Sequence, residues 1–177
     1  MEESIVLIAR EFSKEDNGKL FELIKEVNEY DGNFEGIDDI RNVTDYDMFL
    51  KDLERRKHQD RIKPDYSPQT TFGAFDDEKL VGVFVVRHAL KGRLVNHGGN
   101  IGYFVRPSER KKGYGKQVLS LSLEKAKEIG LEKALVTCRV DNIGSAKVIE
   151  ANGGVLENEY YDEGMNKTFK RYWITIN

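Results

Sequence analysis

Residues 101–129 constrain the fold more than any other part of the chain. A β-branched and aromatic run, Ile101–Val105, stops at Pro107, which has no amide hydrogen with which to continue a ladder. The basic residues Arg110, Lys111 and Lys112 follow, then Gly113-Tyr114-Gly115. From Lys116 onward Leu119, Leu123 and Ala126 repeat on one helical face until Gly130 closes the helix. A strand, a glycine-rich turn and a helix in that order make an anion site. The first amides of a helix have no internal partner, and glycine lets a phosphate approach the backbone closely. Arg110, Lys111, Lys112 and Lys116 bring four positive charges to this turn in a chain whose net charge is -3. The P-loop spacing is missing, and so are the third glycine and distal acidic residue of a dinucleotide fingerprint. A polyphosphate other than a simple nucleotide is the ligand to expect.

The rest of the chain supplies the frame. Its 177 residues are enough to close one hydrophobic core, so a single domain over 1–177 is expected. Residues 5–9 read as a short buried strand. Ser13, with Asp16 three residues on, caps a helix whose Leu20, Leu23, Ile24 and Val27 share one face. After a loop with Gly32 and Gly36, Thr44 is the expected cap of a second helix, with Asp47 at N3 and Tyr46, Phe49, Leu50 and Leu53 inward. Residues 54–68 read as loop. Strands over 70–75 and 80–86 flank a turn at Asp76-Asp77 and form a hairpin. Beyond the central segment come a strand over 134–140, a helix from Asn142 to Gly153-Gly154, and strands over 155–161 and 169–176. The expected fold is α/β of the α+β kind: a mixed, mostly antiparallel sheet of six or seven strands flanked by four helices.

Several functions are excluded on composition. Cys138 is the one cysteine, and His58, His88 and His97 do not pair at ligand spacing, so neither a disulfide nor a metal site is expected. An acidic net charge argues against nucleic acid as a partner. No apolar run reaches the length of a membrane span and no leader is evident in residues 1–12, which makes the cytoplasm the expected compartment.

Arg110-Lys111-Lys112-Gly113-Tyr114-Gly115 resembles the Arg/Gln-x-x-Gly-x-Gly/Ala signature that follows the fourth strand in the Gcn5-related N-acetyltransferase (GNAT) family. The order of elements is similar too. Residues 99–110 and 139–145 together look like a bacterial group of predicted acetyltransferases. The resemblance implies an acetyl-CoA-dependent N-acetyltransferase that delivers the acetyl group to a primary amine of a small molecule or peptide by direct attack. It implies that Tyr103, Phe104 and Val105 line the donor, with backbone groups of Tyr103 and Val105 pairing with the thioester carbonyl and pantetheine arm. Amides of Lys111, Lys112, Gly113, Tyr114, Gly115 and Lys116 would hold the pyrophosphate, with Arg110 answering its charge. Asn142 would cap the fourth helix and touch the pantetheine, and Ser145 would lie near it. Gly98, Gly99 and Gly102 would let the sheet bulge and splay open. The partners implied are acetyl-CoA and an amine acceptor, with a monomer or homodimer as the assembly.

The catalytic positions depart from the family pattern. Ile149 stands where many members place a tyrosine acid, and Gly99 where others place a glutamate base. Tyr103 and His88 are therefore the catalytic candidates, with His97 and Tyr161 behind them; Cys138, inside an apolar strand, reads as a small buried hydrophobe. The missing pair keeps a second function open, a non-catalytic acyl-CoA-binding module. Nine carboxylates within residues 26–52 point to a cationic amine acceptor if they face the cleft, and to a solvated acidic surface if they do not.

Overall fold

Turn chemistry and cross-strand packing set the central hairpin. In the computed structural model, which describes residues 6–30 and 37–177, β2 (Gln69–Asp76) and β3 (Lys79–Arg87) pair antiparallel from Gln69↔Arg87 to Asp76↔Lys79. Asp77 takes φ 50° at the turn, a conformation aspartate tolerates better than most residues. β1 (Ile8–Arg10) adds to β2 and β4 (Ile101–Val105) adds to β3, giving the antiparallel order β1-β2-β3-β4. A second antiparallel sheet, β5-β7-β6, is built from β5 (Lys133–Arg139), β6 (Val155–Asp162) and β7 (Lys167–Thr175).

Both faces of the first sheet are covered. On one face, α1 (Asn17–Glu29) buries Leu20, Leu23, Ile24 and Val27 against Phe75, Leu80, Val83 and Phe104, and α2 (Tyr46–Arg56) adds Tyr46. On the other, Val118, Leu119 and Ala126 of α3 (Tyr114–Ile129) and Ile149 of α4 (Ile143–Ala151) join Val81, Phe84, Ala134, Val136, Tyr172 and Ile174 in one core. This second core draws on both sheets and fastens them to each other. Burying a Leu-sized side chain is worth about 1.5–3 kcal/mol, so these helical stripes supply most of the cohesion between layers.

Four expectations change in detail. β1 is a short edge strand: Val6 is 72% and Ile8 57% exposed, because a strand paired on one side only has little to bury them, and Ile5 lies outside the described residues. The cap of α2 is Asp45 rather than Thr44, its carboxylate accepting from the Met48 amide at 3.0 Å. α2 continues to Arg56, and a 3-10 turn, Gln59–Arg61, interrupts the expected loop. α3 begins at Tyr114, directly after Gly113 in the left-handed region (φ 82°). Gly32 and Gly36 lie outside the described residues. Asp16 does receive the Ser13 amide (2.8 Å), over a 3-10 turn that leads into α1, and Arg10 grips the same carboxylate at 2.6 and 2.8 Å.

No ladder joins β4 to β5; the two sheets part there. Asn100 ties them at their closest point. Its amide donates to the Leu135 carbonyl (2.8 Å) and its side-chain Oδ1 accepts from the Leu135 amide (2.8 Å). Toward the other sheet, its carbonyl accepts from the Arg87 amide and its Nδ2 donates to the Arg87 carbonyl. Gly99 alongside has φ 61°, and a Cβ there would sit 2.2 Å from the Leu135 carbonyl oxygen, so only glycine fits.

Candidate active site

The gap between the sheets opens into a cleft of about 1530 Å³. One wall is β4 and the turn that leads into α3. The turn is anchored from behind: Arg106, buried, donates to Glu26 of α1 (2.8 and 2.5 Å) and to the Leu80 carbonyl (3.1 Å), while Glu26 also accepts the Ser108 amide (2.6 Å). Glu109, buried too, is held by Lys79 and Lys112. Fixed at both ends, the backbone passes through left-handed φ at Lys111 (61°) and Gly113 (82°) before α3 starts. Such reversals gather successive amides on one side and make an anion nest, to which the α3 terminus adds its dipole.

Of the sequence-predicted donor residues, Tyr103, Phe104, Val105, Arg110, Lys111, Gly113, Gly115, Lys116, Asn142 and Ser145 all line this cleft. Arg110 donates to the Val105 carbonyl (3.1 Å) and its guanidinium covers the Tyr30 ring at 4.9 Å. Asn142 caps α4, Oδ1 accepting the Ser145 amide at 3.0 Å, and the Ser145 hydroxyl meets the Tyr103 hydroxyl at 3.2 Å across the opening. Two side chains turn away. Lys112 reaches back to Glu109, and buried Tyr114 donates to Asp76 at 2.8 Å, a bond to a carboxylate that pushes its phenol up to about 12. Only their backbone amides remain for an anion.

His88 is corrected outright. It does not line the cleft; its Nε2 meets the Thr70 hydroxyl at 2.9 Å on the neighbouring strand, where burial lowers its pKa. Tyr161 is also outside, exposed and bonded to Asn166. Ile149 is fully buried in the core beneath Gly154, so position 149 presents nothing to the cleft, and Gly99 has no room for a side chain.

Two features were poorly visible in the sequence. His97, buried and lining the cleft, stacks on Phe169 at 4.9 Å between centroids and sets Nε2 3.1 Å from Asp162 Oδ2. Desolvation lowers its pKa, with Asp162 opposing. Nothing in chain spacing links His97 to Asp162; the end of β6 brings them together. The second feature is charge. Of the nine carboxylates, Asp39 reaches the cleft and is bound to Arg56 (2.7 Å), Glu26 serves Arg106, Asp45 caps α2, and Asp52 pairs with Arg55 and Arg56. Asp31, Glu35 and the Asp38 side chain lie outside the described residues. The far end of the cleft is instead lined by Lys63, Arg87, Lys91 and Arg93.

Among the described residues there is no cluster of three or more metal-ligating side chains, and no helix is long and apolar enough to cross a membrane. Two antiparallel sheets parted beside an anion nest, with a capped helix across the gap, are the architecture of acyl-CoA acetyltransferases. Residues 34–153 match the acetyltransferase (GNAT) family, and the chain belongs to that family. Like its members it is an acetyl-CoA-dependent N-acetyltransferase.

The fold is shared with solved structures at low identity. Mycobacterium smegmatis RimJ in complex with CoA-disulfide is 18% identical, with 96% of this chain and 82% of that chain covered at TM-score 0.72. The ribosomal-protein α-N-acetyltransferase RimL with coenzyme A is 20% identical over 98% and 96%, at TM-score 0.70. The yncA protein of Salmonella typhimurium with acetyl-CoA is 14% identical over 97% and 94%, at TM-score 0.64. A search of curated proteins finds no match.

Proposed function

We propose that the chain, as one domain over 1–177, transfers the acetyl group of acetyl-CoA to a primary amine of a small molecule or peptide by direct attack. The observation that carries this reading is the nest formed by Lys111 to Lys116 beside the unladdered side of β4. In this assignment the nest amides and the Arg110, Lys111 and Lys116 charges hold the donor's pyrophosphate. β4 from Tyr103 to Val105 aligns the pantetheine arm, and Asn142 and Ser145 border it.

An alkylamine has a pKa of about 10.4 and must lose a proton before it attacks. With no carboxylate possible at position 99, His97 is the group assigned to take that proton. Its Nε2–H donates to Asp162, which leaves the Nδ1 lone pair as the base, and burial keeps the ring neutral. The amine nitrogen then bonds to the thioester carbonyl carbon and the C–S bond breaks. The Tyr103 hydroxyl, steadied by Ser145, gives its proton to the departing thiolate and regains one from the nitrogen, whose second proton leaves as the amide forms.

A second reading, a non-catalytic acyl-CoA-binding module, is favoured by the glycine at 99 and the buried Ile149. Release of free CoA thiol from acetyl-CoA across a panel of primary amines separates the two. Acetyl transfer predicts amine-dependent release that falls at least tenfold in Tyr103→Phe. Tight acetyl-CoA binding without release for any amine would leave the module.

A further inference from the structure

We infer that the acceptor is a small amine carrying an anionic group, a carboxylate or a phosphate, held by the guanidinium of Arg87 with Arg93 beside it. This rests on the acetyl-transfer reading of the same cleft and departs from the cationic acceptor that the carboxylates of residues 26–52 left open.

Arg87 ends β3 and its guanidinium lies across Gly102, the neighbour of Tyr103 on β4. A Cβ at 102 would touch Nη2 at 3.4 Å and Nη1 at 3.5 Å, ordinary contact distances, so the guanidinium packs directly over this part of β4, which lines the cleft. Nη1 donates to the carbonyls of Gly98 (2.9 Å) and Gly99 (3.3 Å). No described carboxylate forms an ion pair with Arg87, and Nη2 bonds no described residue. Its pKa is lowered to about 10, first by desolvation and then by the positive charge of Arg93; Asp39 opposes weakly, being committed to Arg56. A cation removed from water beside a like charge is costly until a counter-charge arrives.

The surroundings supply more positive charge. Lys63 stands over the Tyr66 ring at 5.5 Å, and Lys91 bonds to Gln59 and the Pro64 carbonyl. Neither these lysines nor Arg93 forms an ion pair among the described residues. Asp65 is the other acidic residue at this end, and it is exposed. A guanidinium fork suits a carboxylate or phosphate because two parallel N–H donors match two oxygens.

The test is calorimetry on the CoA-loaded chain with matched amines: 2-aminoethyl phosphate against ethanolamine, and 4-aminobutyrate against its amide. The anionic member of at least one pair is expected to bind about tenfold tighter or more. Arg93 is exposed and makes no side-chain hydrogen bond, so Arg93→Glu should fold normally; it is expected to abolish that preference by weakening the anionic member, without weakening the member that lacks the anion. The pair that shows the preference tells phosphate from carboxylate. Equal binding within both pairs, tighter binding of putrescine, or an equal effect of Arg93→Glu on both members overturns the inference. Thiol release read in parallel separates the two readings: transfer to amines without an anionic group, with no preference, sinks this one alone, and anion-preferring binding with no thiol release for any amine sinks acetyl transfer and leaves only an anion site at Arg87.

Discussion

Replacing Gly99 by alanine tests whether the parting of the sheets is built into the backbone. Two costs follow from the geometry. At φ 61° a non-glycine residue loses about 1–2 kcal/mol to left-handed strain. The new Cβ would also start 2.2 Å from the Leu135 oxygen, against an ordinary contact of at least 3.4 Å, so β5 must retreat by 1.2 Å, the difference between those distances. That retreat breaks the paired 2.8 Å bonds between Asn100 and Leu135, each worth about 1 kcal/mol. The total is about 3–4 kcal/mol, which for a domain of this size lowers Tm by roughly 6–16 °C. Gly113→Ala is the control: φ is 82° there but no atom lies within 4 Å of the added Cβ, so strain alone of about 1–2 kcal/mol remains. Scanning calorimetry of both variants decides. If Gly99→Ala melts no lower than Gly113→Ala, the close approach to Leu135 does not constrain the junction, and the argument for glycine at 99 fails. By the same reasoning Gly99→Glu, which restores the carboxylate other family members carry, should cost stability without raising the transfer rate.

Gly113→Asp places a carboxylate in the nest and should lower CoA affinity at least a hundredfold by calorimetry; unchanged affinity would mean that the pyrophosphate lies elsewhere. His97→Asn should remove the acidic limb of the kcat/KM profile, a limb lying below the ordinary histidine value of about 6.5 because burial depresses the pKa; an unaltered profile excludes His97 as the base. A depressed folded pKa also means that His97 contributes stability above about pH 6.5, lost as pH falls through the folded value, so acid melts should differ between wild type and His97→Asn. The Asp16 carboxyl is held down to about 2, chiefly by its hydrogen bonds to Arg10, so its contribution is complete above its ordinary 3.8 and disappears as pH falls toward 2. With Arg10 partly exposed the pair is worth about 1–2 kcal/mol, and Asp16→Asn should show that deficit in urea at pH 7 and none at pH 2.

Local chemistry was legible in the sequence and long-range chemistry was not. The β2–β3 hairpin, the α1 stripe and the Asn142 cap depend on residues a few positions apart, and each formed where its spacing indicated. Thr44 is the expected cap of α2, but its neighbour Asp45 is as good a capping residue, and it is Asp45 that accepts the Met48 amide. The turn into α3 was readable because its proline, cations and glycines lie close together in the chain. His88 follows an apolar run and ranks ahead of His97 in the sequence; Thr70 claims the His88 ring, while His97 meets Asp162 from a strand that closes much later. The acidic stretch misled for a related reason. Counting carboxylates ignores their partners, and Arg106, Arg56 and Arg55 pair with Glu26, Asp39 and Asp52. Arg87 draws no notice in the sequence because the groups around it, Gly98, Gly99 and Arg93, are brought to it by the fold.

The missing ladder beside β4 has one more consequence. A strand edge that finds no neighbouring strand is a template for unwanted pairing, and proteins normally keep such edges at the rim of a sheet, twisted or charged. Here the edge borders the cleft between the two sheets. A flexible ligand bearing its own amides can enter and act as a temporary strand, as peptides do when they extend a sheet. For such a protein the donor is part of the architecture as well as a reagent, and each turnover removes and replaces one strand's worth of order.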